Sequence, residues 1–197
     1  MLQRYTPEQM VSMWLSRKGF TPSPGLSGIQ DFTSLSETAL AEAEAWYSRQ
    51  LAEAPPCFLP REEISEEVTA RYITRNAARL SLPERCVRPL TLKMADWRHT
   101  VCEFPPLTDS ISAREEIRAF ASTPFAPKAY LRPDGELEAH GLEREPQLTS
   151  YYTSAFRATP GQTATPSVSE LSAVVRPADG SFIFDPALLE SSSPFSP

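Results

Sequence analysis

The chain has 197 residues, a net charge of −6, 41% hydrophobic and 22% charged residues, a balance that suits one globular domain with appended segments rather than a disordered chain. It carries 20 Pro and only 7 Gly, roughly double the ~5% and about half the ~7% averages; with no G-x-G-x-x-G and no G-x-x-x-x-G-K-[ST], this argues against phosphate binding by the standard loops. No Lys/Arg run argues for coating of a nucleic-acid duplex, three Cys predict free thiols in a reducing compartment, and neither a secretory leader in MLQRYTPEQMV nor a membrane span is expected.

Thr6-Pro7-Glu8-Gln9 predicts a helix start, with Thr at the N-cap, Pro at N1 and Gln at N3. Met10, Val11, Trp14 and Leu15 form its apolar stripe, and Gly19 offers a left-handed stop before Phe20. After a Pro/Ser/Gly loop, Thr21–Gln30, Ser34-Leu35-Ser36-Glu37 predicts a second capping box. Its helix places Leu40, Ala43, Trp46 or Tyr47, and Leu51 on one face, and Pro55-Pro56 ends it.

Pro60–Leu82 is ambiguous by periodicity. The favoured reading is a short helical or extended entry at Arg61–Glu66, a strand Val68–Thr74, a turn near Arg75-Asn76 and a strand Arg79–Leu82. The alternative is one helix across Arg61–Leu80, since Ile64, Val68 and Tyr72 are spaced four apart. Strands Val87–Met94 and Thr100–Phe104 are expected to complete an antiparallel meander, with Cys102 across from Leu92. Pro89 lacks an N–H, so its strand has an outward-facing position or lies at an edge.

Asp109–Phe120 predicts a third helix, with Ser112 and Glu115 as its capping pair. Two hairpins should follow, AYLRPDGELEAH and AVVRPADGSFIFD, each with Asp-Gly at the turn. Thr149–Phe156 is a candidate strand between them. Arg157–Ser169 reads as a low-complexity arm, and Ser191–Pro197 as a polar tail.

The chemistry-bearing residues are sparse. Cys57, Cys86, Cys102, His99 and His140 lack metal-ligand spacing, so no metal is expected and the thiols read as small, buried or half-buried groups. His99 should be an exposed turn residue. Glu138 and His140 share a strand face, with His140 expected in solvent; no G-x-S-x-G accompanies either His. Glu62, Glu63, Glu66 and Glu67 form the densest acidic run, a solvated face or a docking patch for a basic partner. Trp14, Trp46 and Tyr47 lie at core spacing. Trp97 stands in a strand-to-strand turn beside Arg98 and His99, where it either caps the sheet end or anchors a partner.

Two N-terminal helices followed by L-P-x-x-x-V-R-P-L-T-L-K-M-x-x-W-x-x-x-V, from Leu82 to Val101, resemble the neck (head–tail adaptor) proteins of tailed bacteriophages. The resemblance covers Thr6–Phe104 in order of elements, and the chain after Pro105 departs from it. It implies a non-enzymatic ring subunit that bridges the portal and the tail of a virion assembled in the host cytoplasm, with neighbouring structural proteins as partners and no catalytic residues to carry over.

The residues thus predict an α+β chain with N-terminal amphipathic helices, a central antiparallel β-meander, and C-terminal hairpins with extended Pro-rich arms. The expected parts are 1–56, 57–146 and 147–197. The expected function is structural assembly as a homo-oligomer, with no cofactor, metal or small-molecule substrate. Expected interface residues are Trp97, Arg98, Glu62, Glu63, Glu66, Glu67 and Phe195. The alternative is a small cytoplasmic bacterial protein-binding or regulatory module.

Overall fold

The computed structural model describes residues 1–19, 29–74, 76–108, 122–142 and 165–191, with backbone only at 29–33 and 191. The fold is α+β with antiparallel strand pairs. The chain divides into two compact units interleaved in sequence, rather than three consecutive stretches. The first comprises Met1–Glu62, Arg85–Arg88 and Val174–Pro197, and the second Glu63–Glu84 and Pro89–Ala173. The expected Asp109–Phe120 helix, the Thr149–Phe156 strand and Phe195 lie outside the described residues.

In the first unit, α1 spans Pro7–Arg17 and begins as its sequence predicts. The Thr6 hydroxyl accepts from Gln9 N (3.3 Å) and the Gln9 side chain accepts from Thr6 N (2.9 Å), so two orphan donors are satisfied reciprocally. Gly19 follows with φ +79°. Helix α2 spans Ile29–Glu53 and so starts before Ser34. The Ser34 carbonyl accepts from the Thr38 hydroxyl as an interior helical residue would. A capping-box sequence starts a helix only where the preceding residues stop one, and Ile29–Thr33 contains no Gly or Pro.

Both Trp46 and Tyr47 are buried on α2, with Ala39 rather than Leu40 completing the stripe. The last turn of α2 has no basic residue of its own. Arg88 supplies the missing donors, its guanidinium donating to Ala52 O (2.9 Å) and Ala54 O (2.6 Å), carbonyls that the helix end leaves open.

The aromatic core builds outward from that helix. Trp46 meets Trp14 at 5.7 Å and Phe184 edge-on at 5.3 Å, and Phe184 stacks on Tyr5 at 4.9 Å. Tyr5 belongs to β1 (Gln3–Tyr5) and Phe184 to β9 (Phe182–Phe184), which pair antiparallel. The Tyr47 hydroxyl donates to Ile183 O and accepts from Ile183 N, both at 3.1 Å, binding β9 to α2. A short helix α3, Ala187–Ser191, buries Leu188 and Leu189.

The second unit contains a four-stranded sheet in the order β3 (Thr69–Tyr72), β4 (Ala77–Ser81), β7 (Leu137–His140), β6 (Lys128–Leu131). The favoured extended reading of the ambiguous segment therefore holds and the single-helix alternative does not. Arg61–Glu63 forms β2, Ser65–Glu67 a 3-10 turn, and β3 and β4 a hairpin.

The strands do not pair in sequence order. β4 takes β7 as its second neighbour, with Leu80 opposite Leu137, Ala78 opposite Ala139 and Arg79 opposite Glu138. That register matches apolar residues on one face and opposite charges on the other, which a pairing of β4 with the next strand in sequence does not offer. β5 (Cys86–Met94) instead lies at the edge of a sheet ordered β2, β8 (Val168–Val175), β5, one of the two placements that Pro89 allows. The expected Thr100–Phe104 strand shrinks to one bridge, Leu92 with Val101, held by two 2.8 Å bonds; Val101 and not Cys102 faces Leu92. Pro105 and Pro106, which have no N–H to give, follow directly.

β8 (Val168–Val175) is the middle strand of its sheet. The end of the expected arm, Val168-Ser169, is thus strand, and Pro166 is buried. The second expected hairpin does not form. The turn after β8 is present, but both edges of β8 are already occupied, so β9 pairs with β1 instead. Among the described residues, no helix is long and apolar enough to cross a membrane.

Candidate functional site

β5 ends at Met94 and the chain turns, with Trp97 N donating to Met94 O (3.0 Å). Ala95, Asp96, Arg98, His99 and Thr100 are exposed, but Trp97 is only 2% exposed. This corrects the expectation of a partner anchor: Trp97 folds under its own turn and belongs to the interior. A large aromatic gains most by removal from water, and the turn permits this once its polar neighbours take the outside. Its Nε1–H finds no acceptor among the described residues.

Arg98 stays at the surface, and the aromatic ring beside it is Phe125, 69% exposed. The Arg98 guanidinium carbon lies 5.9 Å from the Phe125 ring centroid, and Arg98 N donates to Pro124 O (2.8 Å). Phe125 sits in a tight turn closed by Ala126 N to Thr123 O (2.9 Å), with the Thr123 hydroxyl also accepting from Ala126 N (3.2 Å). At an exposed site such a cation–π contact contributes about 0.5–1 kcal/mol, enough to orient the ring without burying it.

The end of β7 buttresses this turn. Gly141 has φ +92°, and a Cβ there would stand 2.6 Å from Thr123 O. Only Gly permits both that backbone and that approach. Asn76 ties the two together: its carbonyl accepts from Gly141 N (3.0 Å) and Leu142 N (3.2 Å), and its side chain donates to Ser122 O (3.2 Å). Phe125 was not singled out from sequence. The available signal is the bracket of Pro124 and Pro127, which keeps Thr-Pro-Phe-Ala-Pro out of a helix or a ladder and hence at the surface.

The acidic run is only partly a solvated face. Glu62 pairs with Arg85. The Glu63 carboxylate accepts from Leu171 N (2.7 Å) and Ser65 N (3.2 Å). Burial opposes its ionisation, but those N–H donors outweigh it and hold the Glu63 pKa below the ordinary carboxylate value. Glu66 and Glu67 are exposed on the 3-10 turn.

β7 also carries a buried charge network. Glu138 and His140 share a face, as their spacing requires, but His140 is 7% exposed and Glu138 3%. The solvated His140 expected from sequence is corrected. Glu138 Oε1 lies 2.9 Å from His140 Nε2, and Oε2 accepts from Arg132 Nη1 at 2.7 Å. Glu138 thereby holds the Arg132 pKa above its usual value. Tyr130, opposite Glu138 in register, meets the His140 ring edge-on at 5.6 Å. With Glu138 ionised, Nε2 of His140 is the donor and both carboxylate oxygens are satisfied. The network locks the imidazole, and among the described residues no hydroxyl or thiol is hydrogen-bonded to it.

His99 is exposed, as expected. Cys57 and Cys102 are exposed rather than buried, and Cys86 is half-buried, with burial pushing its thiol up to about 11. All three are free. Among the described residues, no group of three or more His, Cys, Asp or Glu is placed to hold a metal ion. No known protein family, curated protein or solved structure was found to match the chain.

Proposed function

We propose that this chain is a non-enzymatic structural assembly protein, a ring subunit of a phage neck or head–tail connector. The observation that carries the reading is the Arg98–Phe125 tip. It is an aromatic ring left 69% exposed, oriented by a guanidinium and fixed by backbone bonds on both sides. A pre-ordered aromatic–arginine pair has the composition of an interface anchor and costs little further ordering when a partner covers it. The order of elements after the short strand β1, two helices and then antiparallel strands, supports the family reading.

The test is native mass of the full chain at micromolar concentration, alone and with candidate portal-side and tail-side proteins. The expected result is a discrete multiple of the 21.9 kDa chain mass, reduced by Phe125→Ser. A strict monomer under all of these conditions would overturn the reading and leave the cytoplasmic binding module in the lead.

A further inference from the structure

We infer that the Arg98–Phe125 corner of one copy docks on the Ser65–Val68 turn of a second copy of this chain. The inference rests on the assembly reading above and names the surfaces involved. The four-stranded sheet has β3 and β6 as its outer strands. The Thr123–Ala126 turn leads through Pro127 into β6, and the Ser65–Glu67 turn leads through Val68 into β3.

Registers place these two entries at diagonal corners. Lys128 at the start of β6 aligns through His140 with Ala77, whereas Thr69 at the start of β3 aligns with Ser81, the opposite end of β4. Two different patches at opposite edges of one sheet form a heterologous pair. Repeating that contact generates a ring when the rotation closes.

The corners are also complementary in charge and polarity. At the β6 corner Arg98 is exposed over the Phe125 ring, Lys128 is exposed at the start of β6, and Asp96 and His99 lie in the surface turn of Arg98. At the β3 corner Glu66 and Glu67 are exposed, and half-buried Val68 presents an apolar neighbour for the ring. A cationic aromatic corner therefore meets an anionic turn with an aliphatic side chain, which favours docking of unlike corners over like ones.

The experiment is sedimentation velocity on the full chain with a charge swap. Arg98→Glu and Glu66→Lys should each weaken subunit association by about tenfold or more, and the double variant should recover most of the loss because the attraction is restored with its sign reversed. Both residues are exposed, so the thermal midpoint should match the unmodified chain for Glu66→Lys and fall only slightly for Arg98→Glu, which loses its contact with Phe125. An assembly indifferent to both single changes, or a double variant as weak as the singles, overturns this contact while leaving the assembly reading standing. An unmodified chain that stays monomeric overturns both.

Discussion

The chain contains two turns of closely similar sequence, differing by one inserted Ala, and uses them differently. Arg132-Pro133-Asp134-Gly135 joins β6 to β7 as a hairpin, with Gly135 at φ +82° and Arg132 N bonded to Glu136 O (2.9 Å). Arg176-Pro177-Ala178-Asp179-Gly180 has Gly180 at φ +70°, and its Asp179 carboxylate accepts from both the backbone and the hydroxyl of Ser181 (3.1 and 2.7 Å). Yet the strands that it joins pair with other partners. An Asp-Gly turn encodes a reversal of direction. Whether the reversal becomes a hairpin depends on whether the incoming strand still has a free edge, and β8 does not.

The largest expected effect tests what holds β9 to β1 rather than to β8. Phe184 is fully buried between Tyr5 and Trp46. Phe184→Ala should cost about 3–5 kcal/mol by denaturant unfolding, and the Gln3–Tyr5 amides should exchange faster as β1 loses its partner. Unchanged protection there would mean that β1–β9 is held by something other than the aromatic core.

The next effect concerns the true hairpin, where β6 and β7 are joined by charge as well as backbone. Glu138→Ala leaves Arg132 and His140 without their shared acceptor. The expected loss is about 2–3 kcal/mol, below the figure for a fully buried pair because Arg132 is partly exposed. Glu138→Gln should recover part of it. An Ala variant as stable as the parent would show the network to be incidental to the hairpin.

A smaller pair of changes isolates the turns themselves. Gly135→Ala and Gly180→Ala each meet open space, so only the positive φ is penalised, by about 1–2 kcal/mol in each case. Similar losses at both sites would confirm that the local signal is the same and that pairing is decided elsewhere. A much larger loss at Gly135 would make the turn a determinant of the β6–β7 register.

How much of this was legible follows from range. Thr6 to Gln9 closes within one helical turn, so α1 could be read from four residues. The β6–β7 hairpin was equally local. The start of α2 was misplaced because a capping box says where a helix could begin, while the actual start depends on what precedes it. Trp97, His140 and Phe125 were misread or missed for a shared reason. Each position's exposure is decided by a segment distant in sequence: Arg98 is tied to Pro124, Gly141 approaches Thr123, and His140 stands opposite Ala77 of β4. Period-two alternation assigns a face to a strand residue but not what later covers that face.

The smallest effect uses a probe placed where β8 departs toward its turn. Cys86 opens β5, and the residue before it, Arg85, accepts from Arg176 N (2.8 Å) at the head of the second turn. Burial raises the Cys86 thiol to about 11 against an ordinary 9.0, with the Arg85 charge opposing it. The folded state therefore holds this proton more tightly than the unfolded chain does. Its contribution to stability is complete below pH 9 and is lost as the pH rises from 9 through 11. At pH 8, iodoacetamide should label the exposed Cys57 and Cys102 well before Cys86, because the thiolate is the reacting form and Cys86 is both protonated and half-buried. Gly180→Ala should leave that order intact if the strain stays within the turn. Early labelling of Cys86 in this variant would mean that the strain reaches the β5–β8 pairing, and the reversal and the strand partnership would then be coupled after all.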